Sequence, residues 1–326
     1  KQCQIPVMHD DQHGTAIISS AALLNALEIQ KKKIDKIQIV VSGAGAAAMA
    51  CIQLYTALGA RPAQFKVFDI NGILHQGRSD IEKIKQAYCV TEKYKNFTLA
   101  DAMKDADVFL GLSVGNVVTK EMVKAMAKNP IVFALANPDP EISYTDGTES
   151  RKDLIMATGR SDFPNQVNNV LGFPYIFRGA LDVRATQINE TMKLAAVKAL
   201  ADLAKSPVPT IVNLAYNDNT IFFGRDYIIP KPIDPRLLVT VAPAVAKAAM
   251  QSGVSRQAIG DWEAYEQELN HRLGLDNQLS RVISAKARKD PKRVVFADGE
   301  NVKIIKTAQL VLEEAVGFPI LLGAEK

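Results

Sequence analysis

The stretch "IPVMHDDQHGTAI", Ile5 to Ile17, sets Asp10 and Asp11 side by side between His9 and His13, just ahead of an apolar run. Adjacent carboxylates repel, so the pair needs water or a cation to balance it. One aspartate could cap the helix that the pattern starts near Gly14. Capping uses one acid, however, and explains neither histidine. The other chemistry is a divalent-metal site. Zinc wants three or four clustered nitrogen or sulfur ligands, and this stretch has no partners for its histidines. Carboxylate oxygens suit Mg²⁺ or Mn²⁺, with water and substrate in the remaining positions. One acid would bind the ion while its neighbour hydrogen-bonds a catalytic group. On the residues alone, cap and metal both stay open.

A second chemistry lies in "VVSGAGAAA", which gives Gly43-x-Gly45-x-x-Ala48 between a strand pattern and a helix pattern. Gly43 serves a tight turn, Gly45 lets the backbone approach a pyrophosphate, and Ala48 allows close helix–strand packing. With Ala44, Ala46 and Ala47 they form a candidate cradle whose helix-start N–H groups face the phosphates. Asp69 ends the next strand, 26 residues after Gly43, where a carboxylate accepts from an adenosine ribose hydroxyl. It suits the free 2′-hydroxyl of NAD and repels the 2′-phosphate of NADP. Arg78 answers that phosphate if its loop folds back, and is otherwise an exposed side chain. Both cofactors stay open. Ser113, in the loop Gly111–Asn116, is a further candidate for the cradle. A small-residue turn also serves plain packing, but strand, helix and acid together favour a nicotinamide dinucleotide.

The third group is amides. Asn137 follows a buried strand in "ALANPDPE", with Pro138 fixing its turn, and Asn168 and Asn169 close "PNQVNN". An amide donates to a substrate carboxylate without adding charge. Each asparagine by itself reads as a turn residue. Their joint placement after strands is what makes them substrate-binding candidates.

These groups need elements to position them. Short apolar runs in Ile37–Val41, Phe65–Asp69, Asp107–Ser113, Pro130–Glu141 and Asp153–Gln166 alternate with helical patterns, among them Gly14–Gln30 and Ala46–Leu58 with Gly59 as a left-handed cap. Such alternation predicts a parallel sheet with covered faces, and ligands then bind at the carboxyl ends of the strands. The expected fold is α/β: a Rossmann-like doubly wound parallel sheet with flanking helices, plus the start of a second α/β domain. After Arg178 the chain turns helical. Asp234 is placed to cap and Pro235 fits a first turn, while "DWEAYEQELNHRLG" reads as a helix ended by Gly274. From Lys292 a strand–helix–strand pattern restarts behind an Arg-Lys-Asp-Pro hinge.

Composition narrows the class. With 326 residues, 48% hydrophobic and 23% charged, the chain is an ordinary globular one with room for two cores. A net charge of +4 without a basic face does not predict nucleic-acid binding, since "KKKIDK" and "ARKDPKR" are short and isolated. Cys3, Cys51 and Cys89 lack paired or metal-type spacing, which a reducing cytoplasm tolerates. No signal peptide or long apolar run supports export or a membrane span. Beginning at Lys1 on a strand-like segment, the chain reads as a piece of something longer.

"IPVMHDDQHGTA", "VSGAGAAAMAC", "ALANPDPEI", "TGRSDFPNQVNNVLGFPYIFRGALDV" and "YIIPKPIDPRLL" resemble the malic enzyme family in its bacterial hybrid form, where a phosphotransacetylase-like domain follows. The resemblance runs from Ile5 to about Gly274, and "RKDPKRVVFADGE" is similar to the opening of the phosphotransacetylase-like part. It implies oxidative decarboxylation of (S)-malate to pyruvate and CO₂ with NAD or NADP and Mg²⁺ or Mn²⁺, in a cytoplasmic homo-oligomer. Asp11 then matches the metal-binding aspartate, and Asp10 the neighbour that supports the catalytic lysine and stands beside the metal. Gly43, Gly45 and Ala48 match the dinucleotide turn, Asp69 the ribose acid, and Asn137 and Asn169 the asparagines that hold malate, with Asn168 beside them. The implied divisions are 1–33, the end of the substrate and metal domain; 34–230, the NAD(P)-binding domain; 231–275, C-terminal helices; and 276–326, a linker and the start of the phosphotransacetylase-like domain. The family's general-base lysine, general-acid tyrosine, a substrate arginine and two more acidic ligands lie on an N-terminal segment ahead of this chain. Made alone, these residues are expected to bind dinucleotide without turning over malate, and without acetyl transfer or acetyl-CoA control. The competing expectations are another Rossmann dehydrogenase without a metal, and a non-catalytic dinucleotide-binding module.

Overall fold

A computed structural model describes residues 5–218, 220–273, 283, 286–313 and 315–323. The chain divides into two compact units, Lys1–Gly260 and Asp261–Lys326. The first holds strands β1 (Ile39–Ser42), β2 (Phe65–Asp69), β3 (Gly72–Ile73), β4 (Val108–Gly111), β5 (Ile131–Ala134) and β6 (Ile155–Thr158). Its helices are α1 (Thr15–Ile29), α2 (Ala46–Ala57), α3 (Leu99–Met103), α4 (Lys120–Ala125), α5 (Tyr144–Ser150), α6 (Phe173–Asp182), α7 (Glu190–Lys205), α8 (Thr210–Tyr216) and α9 (Arg236–Gln251).

The strands pair in the order β3-β2-β1-β4-β5-β6, parallel throughout except for β3, which runs antiparallel to β2. Every residue of β1, β4, β5 and β6 is buried, as strands covered on both faces must be. Sequence order reverses between β1 and β4, the place where an open α/β sheet leaves a crevice. Register then decides what lines that crevice. Ser42 pairs with Gly111, Gly111 with Ala134, and Ala134 with Thr158, so four strands end in one row. The loops opening at Gly43, Leu112, Leu135 and Gly159 therefore start level with one another. That row is why residues more than a hundred positions apart meet.

Helix α1 is buried along nearly its whole length and packs on α2 and α7, its alanines and serines permitting close approach. Burial on all sides makes it a core helix. Its Asn25 side chain donates to Ala201 O (2.9 Å) and Ile228 O (2.8 Å), which pins the helix that follows Asp10 and Asp11. Gly59 takes φ +118° after α2, the left-handed cap its position predicts. Helicity resumes at Phe173, ahead of Arg178, because Pro174 fits the first turn of α6. Asp234 accepts the Arg236 backbone N–H at 3.0 Å, while Pro235 stands just ahead of the first residue of α9.

In the second unit α10 (Trp262–Arg272) is capped by Asp261, whose side chain accepts from Ala264 N–H at 2.9 Å. Gly274, the predicted stop, lies outside the described residues, as does Cys3. Strands β7 (Lys292–Phe296) and β8 (Gly317–Leu321) pair in parallel around α11 (Val302–Glu313), the expected strand–helix–strand. Among the described residues, no helix is long and apolar enough to cross a membrane.

Candidate active site

Asp10–Gly14 forms one π-helical turn that runs into α1, a geometry found often at functional sites. No side chain caps the start of this turn or of α1, so capping is not what the acids do. Instead the Asn169 amide donates to Asp10 Oδ2 at 3.1 Å and to Asp11 Oδ1 at 3.4 Å. Gly14 makes this contact possible, since a methyl there would overlap the Asp10 carboxylate and lie 2.8 Å from Asn169 Cβ. Asn168 shapes the loop: its Oδ1 accepts from Val170 N–H at 3.1 Å, and its Nδ2 donates to Gly159 O at 3.4 Å. The two asparagines thus divide the labour, one forming the turn and the other reaching the acids.

A cavity of about 480 Å³ is lined by Asp11, Asn137, Asn168 and Asn169, together with Thr15 and Arg160. The opening motif and both asparagine loops therefore share one site. The peptide bond between Asn137 and Pro138 is cis. Arg160, a cation on the loop after β6, was not singled out from the sequence; its guanidinium pairs with Asp162 at 2.8 Å and is half-exposed. The signal was available, a basic residue directly beyond a buried strand. A neighbouring cavity of about 500 Å³, lined by Phe163, Tyr216 and Lys231 among others, holds none of the predicted groups.

The glycine turn meets its geometric demands. Gly43 has φ +111° and donates its N–H to Phe68 O at 2.8 Å. A Cβ there would overlap the Leu112 carbonyl, so only glycine fits. Gly45 has open space around the position of a Cβ, and Ala48 is buried as the packing residue. Helix α2 has no side-chain cap, leaving the N–H groups of Ala46, Ala47 and Ala48 for a ligand. The Ser113 hydroxyl lies 2.8 Å from that of Ser42, beside the turn.

Arg78 is not an exposed side chain. Its guanidinium folds back onto both Asp69 oxygens, at 2.9 and 2.7 Å, and onto Asp80. Burial pushes the Asp69 carboxyl up, but the Arg78 hydrogen bonds, the Asn71 N–H and the Arg78 charge outweigh it and leave the group below its usual range. The predicted ribose acid and the predicted phosphate cation are one ion pair.

For a metal, the donor set is oxygen only. Asp10 Oδ1 is buried without a hydrogen-bond partner, an arrangement that costs about 1–3 kcal/mol unless something polar fills it. The His13 ring accepts from the His9 backbone N–H at 3.3 Å, so it is engaged within the turn. Among the described residues, no group of three or more His, Cys, Asp or Glu is set to hold an ion. Asp11 lines the cavity with Asp10 next to it in the chain, and such carboxylate oxygens fit part of a Mg²⁺ or Mn²⁺ shell, with substrate and further oxygens completing it.

Residues 12–214 match the family described as malic enzyme, NAD binding domain. The chain belongs to the malic enzyme family. An NADP-dependent malic enzyme of Salmonella typhimurium is 51% identical over 324 residues, covering 99% of this chain and 43% of its own length. An NAD-dependent malic enzyme of Rhizobium meliloti is 48% identical over 325 residues, with 99% and 42% covered. The crystal structure of Entamoeba histolytica malic enzyme superposes with a TM-score of 0.73 at 35% identity, over 97% of this chain and 60% of that one. The chain spans less than half the length of the two curated malic enzymes.

Proposed function

We propose that the protein carrying this chain is a malic enzyme that oxidises and decarboxylates (S)-malate to pyruvate and CO₂, using NAD or NADP and Mg²⁺ or Mn²⁺. One observation carries the reading: Asn169 joins Asp10 and Asp11 beside a cavity that Asn137 also lines, on the row of strand ends that holds the glycine turn. Asn137 donates to a substrate carboxylate, and Asn169 does so by giving up the longer of its two contacts, the one to Asp11. Asp11 holds the ion, and Asp10, half-buried with one free oxygen, orients a basic group next to it. The turn Gly43–Ala48 seats the pyrophosphate, and Asp69 meets the adenosine ribose. When bound, the divalent ion and the nicotinamide supply charge stabilisation for the decarboxylating substrate and a hydride acceptor. Two acids that would repel in water are then balanced.

The proposed divisions remain 1–33, 34–230, 231–275 and 276–326, the last being a linker and the start of a phosphotransacetylase-like domain. A strand–helix–strand with a two-stranded sheet of its own, in the second compact unit, supports a separate domain in that region. The proposed setting is a cytoplasmic homo-oligomer.

The deciding experiment follows NAD(P)H and CO₂ formation from malate by the full-length protein, with Mn²⁺ and then with a chelator. The expected result is turnover that the chelator abolishes. Turnover indifferent to chelator points to a metal-free dehydrogenase, and dinucleotide binding without CO₂ release to a regulatory module.

Cofactor choice gives a separate prediction. Arg78→Ala strips the counter-charge from Asp69, which then accepts from a 2′-hydroxyl and repels a 2′-phosphate. KM for NADP is expected to rise by about tenfold more than KM for NAD, roughly the 1.4 kcal/mol of one lost charge contact. Steady-state kinetics with both cofactors read it, and equal shifts would remove Arg78 from the selection.

A further inference from the structure

Glu141 is fully buried yet belongs to neither the acid pair nor the asparagines. Its carboxylate reaches between two loops. Oε1 accepts from Ser113 N–H at 3.0 Å, and Oε2 from Ala136 N–H at 3.1 Å. Ser113 stands against Ser42, the last residue before the glycine turn, and Ala136 directly precedes Asn137. Strands β4 and β5 stop pairing at Gly111 and Ala134, so past that row the carboxylate helps fix how far apart the loops sit. Farther out, Asn116 N–H donates to Pro140 O at 3.0 Å and Val118 N–H to Glu141 O at 2.9 Å, closing the two loops into one body. Gly111 supplies the room, because a methyl there would overlap the Glu141 carboxyl. Burial pushes this carboxyl above its ordinary value, against the backbone N–H groups of Ser113 and Ala136 that favour the ionised form.

We propose that Glu141 is a positioning residue: its carboxylate ties the dinucleotide loop to the asparagine loop, so that dinucleotide and dicarboxylate bind synergistically. This rests on the malic enzyme reading above. The acceptor arithmetic sets the test. A carboxylate offers an acceptor to each N–H, whereas the glutamine of Glu141→Gln offers one acceptor and turns an NH₂ toward the other donor. One loop is let go while shape is kept.

The probe is succinate, which is malate without its hydroxyl and cannot be oxidised at that carbon. Its affinity for the full-length protein with Mn²⁺ is measured with and without the dinucleotide. The wild type is expected to bind succinate about tenfold tighter when dinucleotide is present, an ordinary size for coupled sites. Glu141→Gln is expected to bring that ratio to within about twofold of one, and Gly111→Ala to do the same by displacing the carboxyl. Thermal melting checks that each variant folds, and either suffices if the other does not. Asn137→Ala provides the contrast, weakening succinate equally in both conditions so that the ratio survives. A plain packing role for Glu141 would lower the melting temperature and leave the ratio alone. A wild-type ratio in the folded variants, or a ratio of one in an active wild type, overturns the proposal. Absence of malate turnover by the wild type instead brings down the functional reading, before any variant is made.

Discussion

Asp11→Asn in the full-length protein is expected to lower malate turnover by about 10³-fold while leaving dinucleotide affinity within about twofold. The size follows from the several kcal/mol of charge stabilisation a bound cation supplies, at about 1.4 kcal/mol per factor of ten. The substitution is chosen to spare the loop. Asparagine keeps an oxygen where Asp11 Oδ1 accepts from Asn169, so the 3.4 Å contact has an acceptor still. What disappears is a negative charge at an exposed position next to Asp10. Removing one of two adjacent like charges also relieves repulsion, so the melting temperature of the metal-free protein is expected to hold or rise slightly. Lower activity with equal or higher stability is the mark of a residue kept for function. Rates across a Mn²⁺ titration, with thermal melts of the same samples, measure both. A variant that turns over malate at the wild-type rate with unchanged Mn²⁺ dependence would end the metal assignment of Asp11.

How much of this was legible in the sequence depended on how local each signal is. Four-residue strands such as "IVVS" and "IVFA" announce themselves because a strand covered on both faces must be apolar at every position. The glycine turn is a local pattern too. Strand β3 escaped prediction because Gly72 and Ile73 carry no period to detect. Lys32, in a turn that reads as solvated, instead ion-pairs with Asp107 beside the sheet. The asparagine pair was legible as a site but not in its division of roles, since neighbouring residues in a loop point different ways. Glu141 was the least legible. An acid in "NPDPE" looks like a surface loop residue, and only the missing side chain of Gly111, on another strand, makes room to bury it. Long-range pairing, not local pattern, created that group.

Gly43→Ala and Gly45→Ala are expected to separate what the turn needs from what the ligand needs. At Gly43 the backbone itself forbids a side chain: φ is +111°, a region L residues rarely enter. A Cβ would also lie 2.9 Å from the Leu112 carbonyl carbon. Strain of about 1–3 kcal/mol and overpacking of about 1–3 kcal/mol together predict a loss of about 2–6 kcal/mol in unfolding free energy. Dinucleotide affinity falls with it, because the Leu112–Ser113 loop must move to admit the methyl. At Gly45 neither cost exists. Its φ is −76°, and nothing lies within 4 Å of the added carbon. Stability is expected to hold or gain about 0.4–1 kcal/mol through a less flexible unfolded chain. Yet that open space is where a pyrophosphate must approach the first N–H groups of α2, so Gly45→Ala is expected to weaken NAD and NADP by about 10²-fold, the cost of two lost charge-assisted hydrogen bonds. Denaturant unfolding and dinucleotide titration of the same two variants decide it. If Gly45→Ala bound dinucleotide as the wild type does, the start of α2 would not be the phosphate site, and the nucleotide would have to be sought elsewhere along the row of strand ends.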